Sequence, residues 1–484
     1  SEAEKARQMA FHTLREMAKG GMYDHLGGGF HRYSVDARWH VPHFEKMLYD
    51  QAQLVSAYVE AYQISGDEAF AEVAHDILRY VLRDMTSPAG GFYSAEDADS
   101  YPEEGASKKT EGAFYVWSEE ELHLALNSDQ FKVVRERYGV GERGNVDAAS
   151  DPHGELAGKN VFYVKTSIAE VAKRLDKREQ EVREILEASN ELLFNRRETR
   201  PKPHLDDKII TSWNGLMIST LAKAGSVLDR PEYIKAAREA VAFVNENLYD
   251  EKNKRLYRSY RTSRSDISGF VDDYASFIAG LLDLYEATGE LGLLVQAREL
   301  QESQDEKFWD KEAGGYFGVS LGRDPVLFRM KEDYDGAEPS PNSISIENLI
   351  RLGDMFKDAS QRARAEDALL AFGDQLKNLG FGAPRMLAAM DWSQQAPSQV
   401  VFSGTIDSEP SKNLRKEIFD HFDPYQVVVY ALDEGSLPGP KKVWGSFTLF
   451  SNDTNQAAVC RDFVCLQPTS DPEVLRSQLR GNVP

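Results

Sequence analysis

The sequence is poor in cysteine and has no long apolar run. Only Cys460 and Cys465 occur among 484 residues, and such sparse use is typical of a reducing compartment, so we expect a cytoplasmic protein. Their C-x4-C spacing differs from the C-x2-C of zinc and redox motifs, which favours two small, partly buried residues on neighbouring turns or strands. No stretch approaches the ~18 apolar residues of a membrane helix, and the first residues do not resemble a signal peptide. We therefore expect no contact with a membrane.

Positive charge is also scarce. The chain has 57 Lys and Arg residues against 79 Asp and Glu residues, which gives a formal net charge of −22. Nucleic acids and anionic membranes attract clustered Lys and Arg, so this balance argues against both as partners. No His or Cys spacing matches a metal motif, and the C-terminal part of the chain has no Gly-rich phosphate loop, so we expect neither a metal nor a cofactor.

What the sequence does contain is a repeat. Four segments share one plan, in which a polar residue begins a helix and a short turn leads into a second helix; the polar residues are Asp50, Asn214, Asp273 and Asn342. The turns are predicted about 15 residues later, near Gly66, Asp229, Gly289 and Lys357. The plan predicts αα-hairpins with long return loops.

The repeat predicts the fold class. With further helices expected over 2–19, 118–139 and 167–199, the chain has roughly six helical pairs, which indicates a mainly α structure of the (α/α)6 barrel type. Short apolar runs at 399–404 and 426–432 predict strands of a small C-terminal α/β module. We therefore expect a barrel over 1–393 and the module over 394–484. A short strand is also predicted at 113–117.

A loop and helix over 20–62 hold the densest set of ionisable groups, and we expect them to form one wall of a pocket. His31, His40 and His43 lie in the loop, and the i, i+3, i+7 spacing of His43, Lys46 and Asp50 predicts that they share one helix face. Histidine is the commonest proton-transfer residue. In this interpretation His43 or His40 is the acid/base, Asp50 orients it, and Lys46 or Arg32 polarises a carbonyl.

Carboxylates form a second candidate set. Glycoside hydrolysis requires two of them, one as acid and one as base or nucleophile. The favoured pair joins Asp97 or Asp99 to Asp273, while a helix N-cap is the competing interpretation for Asp272 and Asp273. The acidic residues expected in the return loops and at helix starts are Glu96, Asp97, Asp99, Glu111, Asp207, Asp272 and Asp273.

Aromatic residues accompany these groups in the loops. Trp39 and Trp213 are the candidates for stacking on a sugar ring, Tyr334 lies in a later loop, and Asn214 and Asn342 are candidates for binding hydroxyl groups. Flat apolar faces beside hydrogen-bonding groups suit a carbohydrate. The sequence thus predicts a small carbohydrate ligand and leaves the oligomeric state open.

Long phrases of the chain resemble a known family. GGMYDHLGGGFHRYSVDARWHVPHFEKMLYDQAQL, EGAFYVW, HLDDKIITSWNGLM and CLQPTSDPEVL are similar to the spermatogenesis-associated protein 20 family. Members of that family usually carry an N-terminal thioredoxin-like domain, and this chain is expected to begin near the end of it. The resemblance also implies an (α/α)6 barrel like those of N-acylglucosamine 2-epimerases and six-hairpin glycosidases.

Three functions follow from the residues and this kinship. The first is a sugar epimerase or isomerase that uses the histidines, although no His lies between His204 and His421, on the later hairpins. The second is a glycoside hydrolase that uses the carboxylates. The third is a non-catalytic sugar-binding or scaffold protein associated with a thioredoxin-like domain.

Overall fold

The computed structural model describes residues 2–152, 154–320, 322, 328–432 and 455–481. The chain divides into two compact units. Unit 1 comprises Ser1–Ala61, Asp67–Thr86 and Tyr93–Asp207, and unit 2 comprises Tyr62–Gly66, Ser87–Phe92 and Lys208–Pro484. The C-terminal module lies within unit 2, and its boundary at residue 393 stays a prediction.

Unit 1 combines helices with very short strand pairs. The helices are α1 (Glu2–Lys19), α2 (Leu48–Ser65), α3 (Glu68–Asp84), α4 (Glu119–Ala125), α5 (Ser128–Tyr138), α6 (Ile168–Arg174) and α7 (Glu179–Arg197). The strands are β1 (Tyr33–Ser34), β2 (Pro42–His43), β3 (Lys46–Met47), β4 (Ala95–Glu96), β5 (Asp99–Ser100), β6 (Thr110–Glu111) and β7 (Leu205–Asp206). Antiparallel pairing of β1 with β2, of β5 with β6, and of β4 with both β3 and β7 fixes the loops that carry the candidate residues.

Unit 2 is built from helical hairpins and one larger sheet. Its helices are α8 (Thr211–Val227), α9 (Pro231–Asn247), α10 (Val271–Thr288), α11 (Leu291–Phe308), α12 (Pro341–Phe356), α13 (Ala359–Ala371), α14 (Gly373–Leu379), α15 (Pro384–Ser393), α16 (Glu409–Asp420) and α17 (Pro472–Leu479). Its strands are β8 (Ile209–Ile210), β9 (Tyr249–Asp250), β10 (Arg255–Leu256), β11 (Ser259–Arg261), β12 (Ser263–Arg264), β13 (Ser398–Ser403), β14 (Gln426–Ala431), β15 (Gln456–Arg461) and β16 (Val464–Cys465).

The four predicted hairpins are confirmed. Each predicted turn residue adopts a left-handed backbone conformation, with φ of 69° at Gly66, 52° at Asp229, 71° at Gly289 and 52° at Lys357. A residue in this conformation ends one helix and redirects the chain into the next. The first helices are buried around much of their circumference, as predicted, and in α12 every residue except Glu347 is buried. These elements confirm the mainly α, (α/α)6 fold class with a small C-terminal α/β module.

Two of these buried helices pack backbone against backbone. A Cβ atom added at Gly215 of α8 would lie 2.4 Å from the carbonyl carbon of Ser276 in α10, and one added at Gly280 would lie 2.8 Å from the Gly215 oxygen. No side chain fits at such distances. The two glycines therefore allow α8 and α10 to approach closely, and both helices begin at the candidate site of unit 2.

We expect Gly215→Ala to destabilise the protein by about 1–3 kcal/mol, because the methyl group forces the two helix backbones apart. Gly292→Ala is the matched control. Gly292 lies in the first turn of α11 and has open space at its Cβ, so alanine there should change the stability by no more than ~0.5 kcal/mol. Urea unfolding of the two variants measures both changes. Equal effects at the two sites would contradict the close helix contact.

Three secondary-structure predictions need correction. Residues 113–117 form turns rather than a strand, and only Trp117 makes an isolated β-bridge, with Asn160. The segment is apolar because Phe114, Tyr115 and Val116 pack into a core cluster. The single helix predicted over 118–139 is two helices, since the Asn127 side chain caps a new one. The helix predicted over 167–199 is likewise interrupted, near Asp176, which has a positive φ of 54°.

The C-terminal sheet has the strand order β14-β13-β15-β16, with β13 parallel to β14 and antiparallel to β15. The predicted strands at 399–404 and 426–432 are therefore confirmed within a residue or two. Cys460 and Cys465 are directly opposite on β15 and β16 and form a disulfide, a bond that the sequence interpretation did not predict. Among the described helices, none is long and apolar enough to cross a membrane.

Candidate functional site

The first candidate group, in unit 1, centres on His43. Its Nδ1 lies 2.7 Å from Glu111 Oε1, and its Nε2 lies 3.6 Å from Glu45 Oε2. The ring stacks on Tyr33, its partner residue across β1 and β2, with 4.9 Å between ring centres. Glu111 also accepts the Phe44 backbone N–H at 3.2 Å. A carboxylate bonded to one ring nitrogen fixes the orientation of the imidazole, as acid/base catalysis requires.

Charge around this histidine favours its protonated form. The hydrogen bond that His43 donates to Glu111 raises the pKa of His43 above its usual value against the effect of partial burial, and the same bond lowers the pKa of Glu111. Arg32 pairs with Glu45 at 2.9 Å rather than lying free. Asp99, opposite Glu111 on β5 and β6, has its pKa raised by burial and by the nearby charges of Asp97 and Glu111.

We expect His43 to titrate above ~6.5, the ordinary value for a histidine, and Glu111→Gln to bring its pKa down. Because the folded-state pKa is raised, the pair stabilises the fold most below the unfolded-state pKa, and this contribution disappears as pH rises through the folded-state pKa. Histidine NMR titration of the wild type and the variant measures the shift. An unchanged His43 pKa in Glu111→Gln would contradict the assigned partner.

The predicted helix face of His43, Lys46 and Asp50 is wrong. His43 lies in β2 and Lys46 in β3, and the helix begins only at Leu48. Glu111, expected among the ligand-binding residues, holds the orienting position that was expected for Asp50. The spacing misled because two short strands precede the helix, and strand residues do not follow the helical period.

Lys46 belongs instead to a buried charge cluster, which we define as Asp24, Lys46, Arg197 and Glu96. Lys46 is 1% exposed, and its Nζ donates to Asp24 Oδ2 and to the Gly28 carbonyl, both at 2.9 Å. Arg197 donates twice to Asp24, at 2.7 and 2.9 Å. Glu96 accepts the Tyr80 hydroxyl at 2.6 Å, and burial raises its pKa. These partners account for Lys46 and Glu96, which were both expected at the ligand site.

Other predicted residues of unit 1 have mainly structural contacts. His31 is buried, bonds the Phe44 carbonyl through Nδ1, and has its pKa lowered to about 3 by burial. His40 is buried against the Val161 carbonyl at 3.3 Å, and burial lowers its pKa too. The Trp39 backbone, at a φ of 59°, accepts the Met22 N–H. Asp50, Asp97 and Asp207 are half-buried, and Lys109 lies 3.5 Å from Asp97.

The second candidate group lies in unit 2, where α8, α10 and α12 begin. Arg258 forms ion pairs with both Asp272 and Asp273, the latter at 2.9 Å. Asp273 is fully buried and also accepts the backbone N–H groups of Ser212 at 3.0 Å and Phe270 at 2.8 Å. Burial and the Asp272 charge raise the pKa of Asp273. Asp273 thus caps α10, whereas Asp272 remains partly exposed.

Two further carboxyl groups, those of Glu338 and Glu332, complete this group. The Trp213 indole N–H donates to Glu338 Oε2 at 2.7 Å. Burial raises the pKa of Glu338, the Trp213 hydrogen bond opposes that rise, and the charge of Asp272 adds to it. Burial and Asp272 also raise the pKa of Glu332. We define the carboxyl group site as Trp213, Arg258, Asp272, Glu332 and Glu338.

Asn214 and Asn342 support loops beside this site. Asn214 exchanges two hydrogen bonds with the Phe92 backbone, at 2.8 and 3.0 Å. Asn342 does the same with Tyr316, at 2.7 and 3.0 Å, and also donates to the Glu332 carbonyl at 2.8 Å. Both asparagines are fully buried. At Asn214 and Asn342, the side-chain amide therefore pairs with the N–H and the carbonyl of one backbone residue in the return loop, as a neighbouring β-strand would.

Sequence reasoning missed Arg258, Glu332 and Glu338. Arg258 lies in an irregular loop between β10 and β11, and the two glutamates lie in the loop before α12, where charged residues are common and carry no periodic signal. The one feature of this loop that the sequence offered as a sign of a binding site was Tyr334, an aromatic residue between Asp333 and Asp335. In the described part of the chain, no group of three or more His, Cys, Asp or Glu residues is arranged to hold a metal ion.

Comparison with known proteins identifies the family. No family model matches the chain. Over 98% of its length it is 41% identical to human spermatogenesis-associated protein 20 and 39% identical to the mouse protein of that name. It spans 63% of the human protein and 62% of the mouse protein, which is less than two thirds of either.

Among solved structures, a sugar epimerase from a ruminal bacterium matches with a TM-score of 0.44 and 12% identity, over 77% of this chain and 72% of that one. A TM-score this low carries no functional argument. The sequence relatives, in contrast, match almost the whole chain. The chain therefore belongs to the spermatogenesis-associated protein 20 family.

Proposed function

We propose that this member of the spermatogenesis-associated protein 20 family binds a small carbohydrate in unit 2 and cleaves a glycosidic bond by acid–base chemistry. Glu338 is the acid and Asp272 the base or nucleophile. The proposal replaces Asp97, Asp99 and Asp273 of the sequence interpretation. Asp97 and Asp99 lie in unit 1, and Asp273 is enclosed by three donors.

One observation carries this proposal: two neighbouring carboxyl groups have opposite surroundings. Glu338 is half-buried beside an indole, and burial raises its pKa, so it retains a proton more readily than an ordinary glutamate. Asp272 instead forms an ion pair with the Arg258 guanidinium. A pair of carboxyl groups in contrasting environments is the usual arrangement of a general acid and its anionic partner.

The chemistry follows from these two states. Protonated Glu338 donates to the glycosidic oxygen as the bond to the anomeric carbon breaks, so that the leaving sugar departs as an alcohol. The Asp272 carboxylate, paired with Arg258, either accepts a proton from the attacking water or attacks the anomeric carbon itself. In the second route water, deprotonated by Glu338, then hydrolyses the glycosyl ester and frees Asp272. The Trp213 ring provides an apolar face for the sugar, and its N–H fixes the acid.

The test is the release of reducing ends from a panel of gluco-, manno- and galacto-configured glycosides. We expect the wild type to cleave at least one of them and Asp272→Asn to lose that activity. Asp266→Asn, an exposed aspartate in the preceding loop, is the matched control and should behave as the wild type. Full activity in Asp272→Asn, or no cleavage of any glycoside, would contradict the proposal.

A second candidate is the epimerase or isomerase reaction at His43. The supporting observation is that Glu111 orients the ring while the opposite nitrogen faces Glu45, which leaves a polarised histidine on a half-buried surface. This arrangement suits proton transfer beside a sugar carbonyl. The reaction would exchange a carbon-bound proton for deuterium in D2O, which glycoside cleavage does not.

A further inference from the structure

The loop that carries Glu332 and Glu338 also holds an exposed aromatic ring. Tyr334 is 62% exposed and lies between Glu332 and Glu338 in the sequence. Single exposed aromatic residues are common on protein surfaces and need a second feature to indicate a role. Here the second feature is that two glycines pack against the ring and the backbone on both sides of Tyr334 is hydrogen-bonded to the fold.

Two glycines make room for this ring. A Cβ atom at Gly382 would lie 3.0 Å from Cδ2 and Cε2 of Tyr334, and one at Gly336 would lie 3.3 Å from its Cε1. The ring therefore rests on the backbone at both positions and leaves the rest of its surface free. Any side chain at Gly382 would displace it.

Asp335, the next residue, fixes the loop. Its carboxylate accepts the backbone N–H groups of Ser340 and Arg385, both at 2.8 Å, and its own N–H donates to the Gly382 carbonyl at 2.8 Å. Asn342 holds the Glu332 carbonyl at 2.8 Å. The segment from Glu332 to Glu338 is thus attached to the fold on both sides of Tyr334.

We infer that Tyr334 is a stacking platform for a second sugar ring, so the substrate class of this site is an oligosaccharide rather than a monosaccharide glycoside. This inference rests on the proposed function of the carboxyl group site. An aromatic ring that packs against two glycines of an attached loop loses less conformational freedom when a sugar stacks on it than a ring on a mobile loop does. Its exposed face matches the apolar C–H face of a pyranose, while Glu332 and Asp333 supply acceptors for hydroxyl groups.

The test compares ligands by chain length. Isothermal titration with gluco- and manno-oligosaccharides of one to four residues should show tighter binding of the longer members to the wild type. Tyr334→Ala should weaken binding of the longer members by about tenfold, the equivalent of about 1.4 kcal/mol, and should remove the dependence on length. Gly382→Ala, which moves the ring but retains it, should cause a smaller loss.

Tyr101→Ala is the matched control, because Tyr101 is also exposed but lies in unit 1. It should leave the length dependence intact. Wild-type binding that does not depend on length, or an unchanged dependence in Tyr334→Ala, would overturn the platform. Two further results separate it from the proposed function. If the wild type binds longer ligands more tightly, Tyr334→Ala loses that dependence and neither protein cleaves a glycoside, the stacking platform is supported and the hydrolase is contradicted. If the wild type and Tyr334→Ala cleave glycosides of every length equally well, the hydrolase is supported and the platform is contradicted.

Discussion

Glu338→Gln should lose glycoside turnover by about 10²–10⁴-fold in kcat, the range that a positioned general acid contributes. The amide cannot donate the proton that the leaving oxygen needs. Its oxygen can still accept the Trp213 N–H, so the fold and the position of the side chain should be retained. Initial rates on the glycoside that the wild type cleaves best, together with the melting temperature, measure the two effects separately.

The pH dependence of the rate adds a sharper signature. Because Glu338 must be protonated, activity should fall as pH rises through its raised pKa. The Trp213 hydrogen bond lowers that pKa, so Trp213→Phe should move the alkaline limb of the profile to higher pH. Glu312→Gln, an exposed glutamate earlier in the same unit, is the control. Near-wild-type kcat in Glu338→Gln would remove Glu338 from the proposed acid role.

Asp24→Asn should destabilise unit 1 by about 3–5 kcal/mol, the usual cost of leaving a buried charge without its partner. Asp24 balances both Lys46 and Arg197, and all three residues are almost completely buried. The amide still accepts hydrogen bonds but carries no charge. Urea unfolding followed by tryptophan fluorescence measures the loss, and Lys46→Met in the same chain should recover part of it.

The matched control is Asp67→Asn. Asp67 pairs with Arg15 at 2.8 Å, but both side chains are exposed, so the change should cost no more than ~1 kcal/mol. Asparagine also caps a helix as well as aspartate does, which preserves the start of α3. Equal losses in the two variants would contradict the distinction between the buried cluster and the exposed pair.

The buried cluster also gives a pH dependence with a defined sign. Arg197 and Lys46 hold the pKa of Asp24 well below its ordinary value, despite the opposing effect of burial. A lowered folded-state pKa contributes stability above the unfolded-state value of ~3.9, and that contribution is lost as pH falls towards the folded-state pKa. The asparagine side chain does not titrate, so the stability deficit of Asp24→Asn relative to the wild type should be largest above pH ~3.9 and should shrink as pH falls towards the folded-state pKa of Asp24.

The fold was largely predictable because its signals are local and repeated. The spacing from Asp50, Asn214, Asp273 and Asn342 to the next turn places four left-handed residues correctly. Helix breaks at Asn127 and near Asp176 were missed, because the apolar pattern continues across them and only the caps reveal the interruption. The disulfide was missed because pairing depends on the register of β15 and β16, which spacing alone does not give.

The candidate site was only partly predictable. Trp213, Asp272 and Glu111 were selected from the sequence, and the structure gives each a polar partner that suits a binding or catalytic group. Lys46 and His31 were selected for the same reason, yet both are buried. The sequence does not show whether a polar loop residue faces a ligand or an internal ion pair, because residues distant in the chain determine its burial. Lys46 is an example, since it shares its partner Asp24 with Arg197, which is far away in the sequence.

Proton NMR in D2O, with the wild-type protein and the glycoside panel, tests the central claim most directly. The account predicts a new anomeric signal from the released sugar and no deuterium at the carbon beside its carbonyl. Deuterium entering beside the carbonyl of a free reducing sugar added to the same protein, without cleavage of any glycoside, would contradict the carboxyl mechanism and favour His43. An unchanged spectrum for every glycoside would contradict a glycosidase role for Glu338 and Asp272.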